Sequence, residues 1–156
     1  MGSVCDTIEE TVDYLGKKGE KVGLVKVRLY RPFSEHHLLQ ALPQTVKKIA
    51  VLDRTKEPGS SGEPLYLDVV KGLRNLRPAP QIVGGRYGLG SKDTTPSQIV
   101  AVYENLRQAR PQDRFTIGII DDVSHSSLPA GEPIDITPGG TISCKFWGLG
   151  SDGTVG

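Results

Sequence analysis

Apolar segments with the period of a helix alternate along this chain with short β-branched segments, and this alternation constrains the fold more than any other feature. A helical pattern comes first, a strand pattern followed by a helical pattern then occurs three times, and a further strand pattern follows. Such alternation predicts a mostly parallel sheet with helices on both faces. The predicted fold class is therefore α/β, as a three-layer α/β/α sandwich.

The predicted helices carry recognisable start signals. Thr7 opens a capping box for the first helix, which is predicted to begin at about residue 6. Ser34 is a candidate cap for the second helix, and Pro64 occupies the first position of the third. Thr95 opens another capping box for the fourth helix.

Five segments have the composition of strands. Residues 48–53 and 81–85 are short apolar runs, as in buried parallel strands, and residues 22–29 are rich in valine and leucine. Residues 114–119 and 141–147 complete the set.

The chain is predicted to be an excerpt of a longer protein. Residues 1–123 hold the α/β pattern, residues 124–140 are rich in proline, glycine and serine like a linker, and residues 141–156 give a strand and a glycine loop. No strand precedes the first helix, and no helix follows the last glycine loop. The sandwich is therefore expected to be incomplete at both ends, with 141–156 beginning a second domain.

Charge and cysteine content exclude several classes of protein. With 19 basic and 18 acidic residues, the net charge is +1, which disfavours a nucleic-acid or anionic-lipid partner. The apolar runs are far shorter than the ~20 residues of a membrane-spanning helix. Two distant cysteines, Cys5 and Cys144, form neither a disulfide scaffold nor a four-thiolate metal site. These features indicate a cytoplasmic protein without a resident metal.

A glycine loop near the end of the chain is one candidate binding site. Gly148, Gly150 and Gly153 match the G-x-G-x-x-G pattern and follow a predicted strand. Glycine there allows the backbone to approach a phosphate closely. The pattern alone leaves a packing turn equally open.

Two further loops leave predicted strands at their carboxyl ends. Residues 84–93 are rich in glycine and contain Arg86 and Lys92, which could meet an anion, although packing against a neighbouring domain is the favoured interpretation. Residues 53–57 are all polar and could line a cleft, form interface ion pairs or be a solvated loop.

Several long motifs in these same regions resemble the pyruvate:ferredoxin (flavodoxin) oxidoreductases. Residues 23–33, 51–59 and 84–93 resemble the second domain of that family, and residues 145–154 resemble the start of its third domain. The resemblance implies oxidative decarboxylation of pyruvate with coenzyme A to acetyl-CoA and CO2, with electrons passed to ferredoxin or flavodoxin. It also implies a transketolase C-terminal-domain-like fold for residues 1–123, a linker at 124–140, and a truncated third domain at 141–156.

The resemblance also implies what this chain does not hold. Thiamine diphosphate, magnesium and iron–sulfur clusters would belong to the full-length enzyme and to none of the residues here, so no catalytic or metal-binding residue is assigned. Gly148, Gly150 and Gly153 would face coenzyme A, with Arg86 and Lys92 as weaker candidates. The implied partners are the remaining domains, a second copy of the intact enzyme, and ferredoxin or flavodoxin. Two alternatives stay open: a free-standing nucleotide- or CoA-binding module, and an oxidoreductase of another 2-oxo acid.

Overall fold

Helices and parallel strands alternate along the chain. The structure, a computed structural model, describes residues 2–137, 139–145 and 147. Its elements are, in chain order, α1 (Val4–Lys17), α2 (Glu35–Ala41), β1 (Lys48–Asp53), α3 (Pro64–Leu73), β2 (Gln81–Arg86), a short 3-10 turn (Leu89–Ser91), α4 (Pro96–Arg107) and β3 (Phe115–Thr116). The three strands form one parallel sheet in the order β1-β2-β3. The α/β sandwich with a parallel sheet is confirmed.

The helices cover both faces of the sheet. Successive side chains of β1 point to opposite faces, so Leu52 packs with α1 and α4, whereas Val51 packs with α3. The first face is centred on Phe115, which is completely buried, and the second on Leu73. Two apolar cores therefore hold the sheet between two helical layers.

Most of the predicted helix starts are confirmed. The Ser34 hydroxyl accepts a hydrogen bond from the backbone N–H of His37 at 3.2 Å. Pro64 is the first residue of α3, and Thr95 caps α4 in a capping box with Gln98. Each signal is local, which explains why it could be read from a few neighbouring residues.

The start of α1 is earlier than predicted. The helix begins at Val4 with Ser3 as its N-cap, and Thr7 lies inside the helix, where its carbonyl oxygen accepts the Thr11 hydroxyl at 2.7 Å. Val4 is buried in the same core as Ile8. Burial of Val4 accounts for the earlier start, because packing rather than the capping pattern determines where the helix begins.

Two strand predictions are wrong, and a third strand is shorter than predicted. Residues 22–29 form no strand and pair with none in the described part of the chain, although Leu24 packs on one core and Val27 on the other. Residues 141–145 and 147 also form no strand and are exposed. The third is β3, which covers only Phe115–Thr116, and Gly118 follows at a φ of +88°. A β-branched sequence supplies side chains that suit a strand, but a ladder also needs a partner backbone.

Candidate functional site

Both long strands end at the same edge of the sheet. Asp53 and Arg86 are the last residues of β1 and β2 and lie opposite each other in register. The loops that follow them are therefore neighbours in space. Because α/β proteins bind ligands at the carboxyl ends of parallel strands, this edge is where a functional site is expected.

Three charged side chains are buried at this edge. Asp53 is 2% exposed, Glu63 1% and Arg86 5%. The Nε of Arg86 donates to Oε1 of Glu63 at 2.6 Å, and its guanidinium also donates to the carbonyl of Arg114 at 3.3 Å. Oε2 of Glu63 is buried without a hydrogen-bond partner among the described atoms. The guanidinium of Arg86 is thus held by groups of the chain itself.

Asp53 fixes the start of α3. Its two carboxylate oxygens accept the backbone N–H groups of Leu65 and Tyr66, each at 3.0 Å. The N-cap residue of α3, Glu63, makes no side-chain cap of its own, and Pro64 has no N–H to satisfy. Burial raises the pKa of Asp53, and the two N–H groups oppose that rise. The carboxylate of a strand residue therefore replaces the missing local cap.

Packing inside the domain requires glycine at Gly85 of β2 and leaves little room for a larger residue at Gly84. A Cβ atom at Gly85 would lie 2.3 Å from Cζ of Phe115 and 2.8 Å from Cδ2 of Leu52. At Gly84, the nearest atom would belong to the Tyr66 ring at 3.2 Å. Gly85 in particular lets the buried Phe115 ring lie directly against the strand.

A cavity of about 290 Å³ lies between α1 and the two loops. Arg54, directly after β1, lines one side, and Lys92 and Asp93, after the 3-10 turn, also line it. Gly88 has a φ of +63°, and a Cβ there would lie 3.0 Å from Nε of Arg54. The glycine therefore lets the arginine side chain lie against the loop after β2.

Arg86 and Lys92, the two charged residues singled out from the sequence, lie in different surroundings. Lys92 lines the cavity, whereas Arg86 is buried in its pair with Glu63 and does not line it. Gly148, Gly150 and Gly153 lie outside the described residues, so their role stays a prediction.

Sequence reasoning did not single out Arg54 or Glu63. Arg54 was predicted only as part of the polar loop at 53–57. Its position one residue beyond a buried strand was an available signal. Glu63 precedes a proline at the end of a loop, and nothing in its neighbourhood indicates burial.

The described residues contain no group of three or more histidine, cysteine, aspartate or glutamate side chains that could hold a metal ion. Both cysteines are free thiols, Cys5 buried and Cys144 exposed. No helix in the described part of the chain is long and apolar enough to cross a membrane.

Comparison with known proteins identifies the family. Residues 1–99 match the family model described as pyruvate:ferredoxin oxidoreductase core domain II. The whole chain is 62% identical to a pyruvate:ferredoxin oxidoreductase of Moorella thermoacetica and 60% identical to a pyruvate-flavodoxin oxidoreductase of Enterobacter agglomerans, covering 13% of each. It is 54% identical to a mitochondrial pyruvate dehydrogenase (NADP+) of Euglena gracilis, of which it covers 9%.

The chain thus spans only about an eighth, or less, of the length of these relatives. The family match covers the edge of the sheet that carries Asp53, Glu63, Arg86 and the cavity. The family model matches residues 1–99, and the relatives match this chain over its whole length. The chain therefore belongs to the pyruvate:ferredoxin oxidoreductase core domain II family.

Proposed function

We propose that the chain is a structural, interdomain segment of an enzyme that oxidatively decarboxylates pyruvate with coenzyme A to acetyl-CoA and CO2, passing the electrons to ferredoxin or flavodoxin. The observation that carries this proposal is 62% identity over all 156 residues to a pyruvate:ferredoxin oxidoreductase. The acceptor named for the relatives differs, since ferredoxin, flavodoxin and NADP+ all occur. The substrate named in each is pyruvate, which favours pyruvate over another 2-oxo acid.

A role without catalysis is supported by what the buried charges do. Arg86 pairs with Oε1 of Glu63, and Asp53 accepts two backbone N–H groups of α3. These three groups are occupied in holding the sheet edge together. All three residues are at most 5% exposed, so a substrate in solvent does not reach them.

The cofactors of such an enzyme do not fit the described residues. A four-iron cluster takes four cysteine thiolates, and this chain has only Cys5 and Cys144. The described residues also lack a group of three acidic, histidine or cysteine side chains for the magnesium that accompanies thiamine diphosphate. We therefore assign thiamine diphosphate, magnesium and the iron–sulfur clusters to other parts of the intact enzyme.

The exposed loops suit contacts with those other parts. Ile120 is 90% exposed and Val123 88%, which is unusual for two apolar side chains so close in sequence. Within the segments at 53–57 and 84–93, Asp53 and residues 84–87 are buried, and residues 54–57 and 88–93 leave the same edge of the sheet. We propose that these segments position residues 1–123, a transketolase C-terminal-like domain, against neighbouring domains. Residues 124–140 would then be a linker, and the intact enzyme would be a cytoplasmic homodimer.

Residues 141–156 would begin the next domain, with Gly148, Gly150 and Gly153 on the coenzyme A side. In the intact protein, Gly150→Val should raise the Michaelis constant for coenzyme A and leave that for pyruvate unchanged. Gly131→Val is a matched control, because no atom lies within 4 Å of a Cβ placed there. An unchanged Michaelis constant for coenzyme A in folded Gly150→Val protein would contradict this part of the proposal.

The same glycine pattern is the one observation that favours a free-standing nucleotide- or CoA-binding module. Equilibrium dialysis of the 156-residue chain against coenzyme A and ATP separates the two functions. The interdomain proposal predicts no tight binding by the chain alone, whereas micromolar binding would favour the module.

A further inference from the structure

We propose that the cavity between α1 and the loops after β1 and β2 binds a phosphate-class oxyanion through Arg54 and Lys92. This proposal does not depend on the catalytic activity proposed above. Among the residues that the structure describes, the lining comes from residues 3–94. The binding can therefore be measured separately from pyruvate oxidation.

The two cationic side chains have no partner within the described part of the chain. Ion pairs there engage Lys26, Arg31, Lys71, Arg86 and Arg107, but none includes Arg54 or Lys92. Neither side chain donates a hydrogen bond to a described residue. Arg86 shows the contrast, because its guanidinium is buried and already paired with Glu63. Among the described residues, Arg54 and Lys92 are therefore the unpaired cationic side chains that line the cavity.

The position of Arg54 is set by the loop on the opposite side. Its side chain lies so close to Gly88 that a Cβ atom there would stand 3.0 Å from Nε and 3.3 Å from Cγ. Tyr87, next to this glycine, is 2% exposed and forms part of the lining. The arginine is exposed, and its side chain lies against the loop after β2.

The chemistry of the lining favours phosphate over a carboxylate. Arg54 offers a fork of N–H donors and Lys92 an ammonium group, while Ser3 and Thr7 add hydroxyl donors from α1. A phosphate group has enough oxygen acceptors to meet donors from several directions, whereas a carboxylate has two oxygens in one plane. The cavity volume of about 290 Å³ exceeds that of one phosphate group and leaves space for the group that carries it.

One acidic side chain also lines the cavity. Asp93 reduces the formal charge of the site to +1, since Arg54 and Lys92 contribute two positive charges. A carboxylate at this position repels an anion, so its removal should strengthen binding. Tighter binding in such a variant would be a specific result, because damage to the fold weakens binding.

The test is calorimetric titration of the intact protein that carries this chain with inorganic phosphate and pyrophosphate. Arg54→Met and Lys92→Met should each weaken binding about tenfold, the loss expected for one charge-assisted hydrogen bond. Asp93→Asn should tighten it about threefold. Lys56→Met is the matched control, because Lys56 is exposed in the same loop as Arg54 but does not line the cavity.

Titration with acetate tests whether the cavity binds carboxylates as well as phosphate. Acetate should neither bind at the concentrations where phosphate binds nor displace phosphate. Equal phosphate affinity in the native, Arg54→Met and Lys92→Met proteins would overturn the proposal, as would the absence of millimolar phosphate binding. A weaker affinity in Asp93→Asn would do so too. Loss of pyruvate oxidation with phosphate binding intact would count against the proposed function and not against this site.

Discussion

Arg86→Met should be among the most destabilising single substitutions in this chain. It would leave the carboxylate of Glu63, which is 1% exposed, without the guanidinium 2.6 Å away. Removal of one partner of a buried ion pair costs about 3–5 kcal/mol, because the remaining charge has lost both its partner and its water. Oε2 of Glu63 already lacks a partner, so neither oxygen would then be satisfied. We expect a loss of about 4 kcal/mol in the free energy of unfolding.

Urea denaturation followed by circular dichroism measures this loss. The double variant Glu63→Gln/Arg86→Met should be more stable than Arg86→Met alone, because a neutral amide is less costly to bury than an unpaired carboxylate. Arg107→Met is the control, since its ion pair with Glu20 is 2.5 Å long but partly exposed to solvent and should be worth at most about 1 kcal/mol. A cost below about 1 kcal/mol for Arg86→Met, or strictly additive effects in the double variant, would refute the reasoning.

Three further predictions concern packing, capping and pH. Gly85→Ala should destabilise the chain by about 1–3 kcal/mol because the new Cβ overlaps a buried ring. Gly16→Ala, inside α1, should stabilise the chain by about 0.5–1 kcal/mol, because no atom lies within 4 Å of a Cβ placed there. Thermal melts compare the two variants, and equal shifts in melting temperature would contradict the geometry. Asp53→Ala should lower the free energy of unfolding by about 1–3 kcal/mol and speed amide hydrogen exchange at the start of α3. Unchanged exchange would show that the carboxylate is not the cap. The hydroxyls of Ser124 and Ser126 lower the pKa of Asp121. The stabilisation from Asp121 is therefore present above its ordinary pKa and lost only as pH falls through the lowered value. Ser126→Ala should raise that pKa toward 3.8 in a carbon-13 NMR titration, and an unshifted pKa would show that the hydroxyl is not a donor.

Local signals in the sequence were sufficient for the parts of the fold that local contacts determine. Ser34, Pro64 and Thr95 start helices through hydrogen bonds or backbone geometry within one turn of the chain. The segment 22–29 shows the limit of such signals. Its pattern describes the side chains of a strand, but whether it joins a sheet depends on a backbone partner far away in sequence.

The candidate site depends on contacts between distant residues, which explains why sequence reasoning found only part of it. Lys92 was singled out and does line the cavity, but its neighbour there is Arg54, 38 positions earlier, rather than Arg86. The burial of Glu63 depends on Arg86, 23 residues further on. No periodicity within one element connects such pairs. They meet because β1 and β2 end at the same edge of the sheet.

The most direct test of the central claim is an electron-transfer assay on the intact protein and on the isolated 156-residue chain. The intact protein should reduce ferredoxin or flavodoxin only when pyruvate and coenzyme A are both present, with formation of acetyl-CoA and CO2. The isolated chain should be inactive even when thiamine diphosphate and magnesium are added. Pyruvate-dependent reduction by the chain alone, or its absence from the intact protein, would contradict the assignment of this chain as a structural segment of that enzyme.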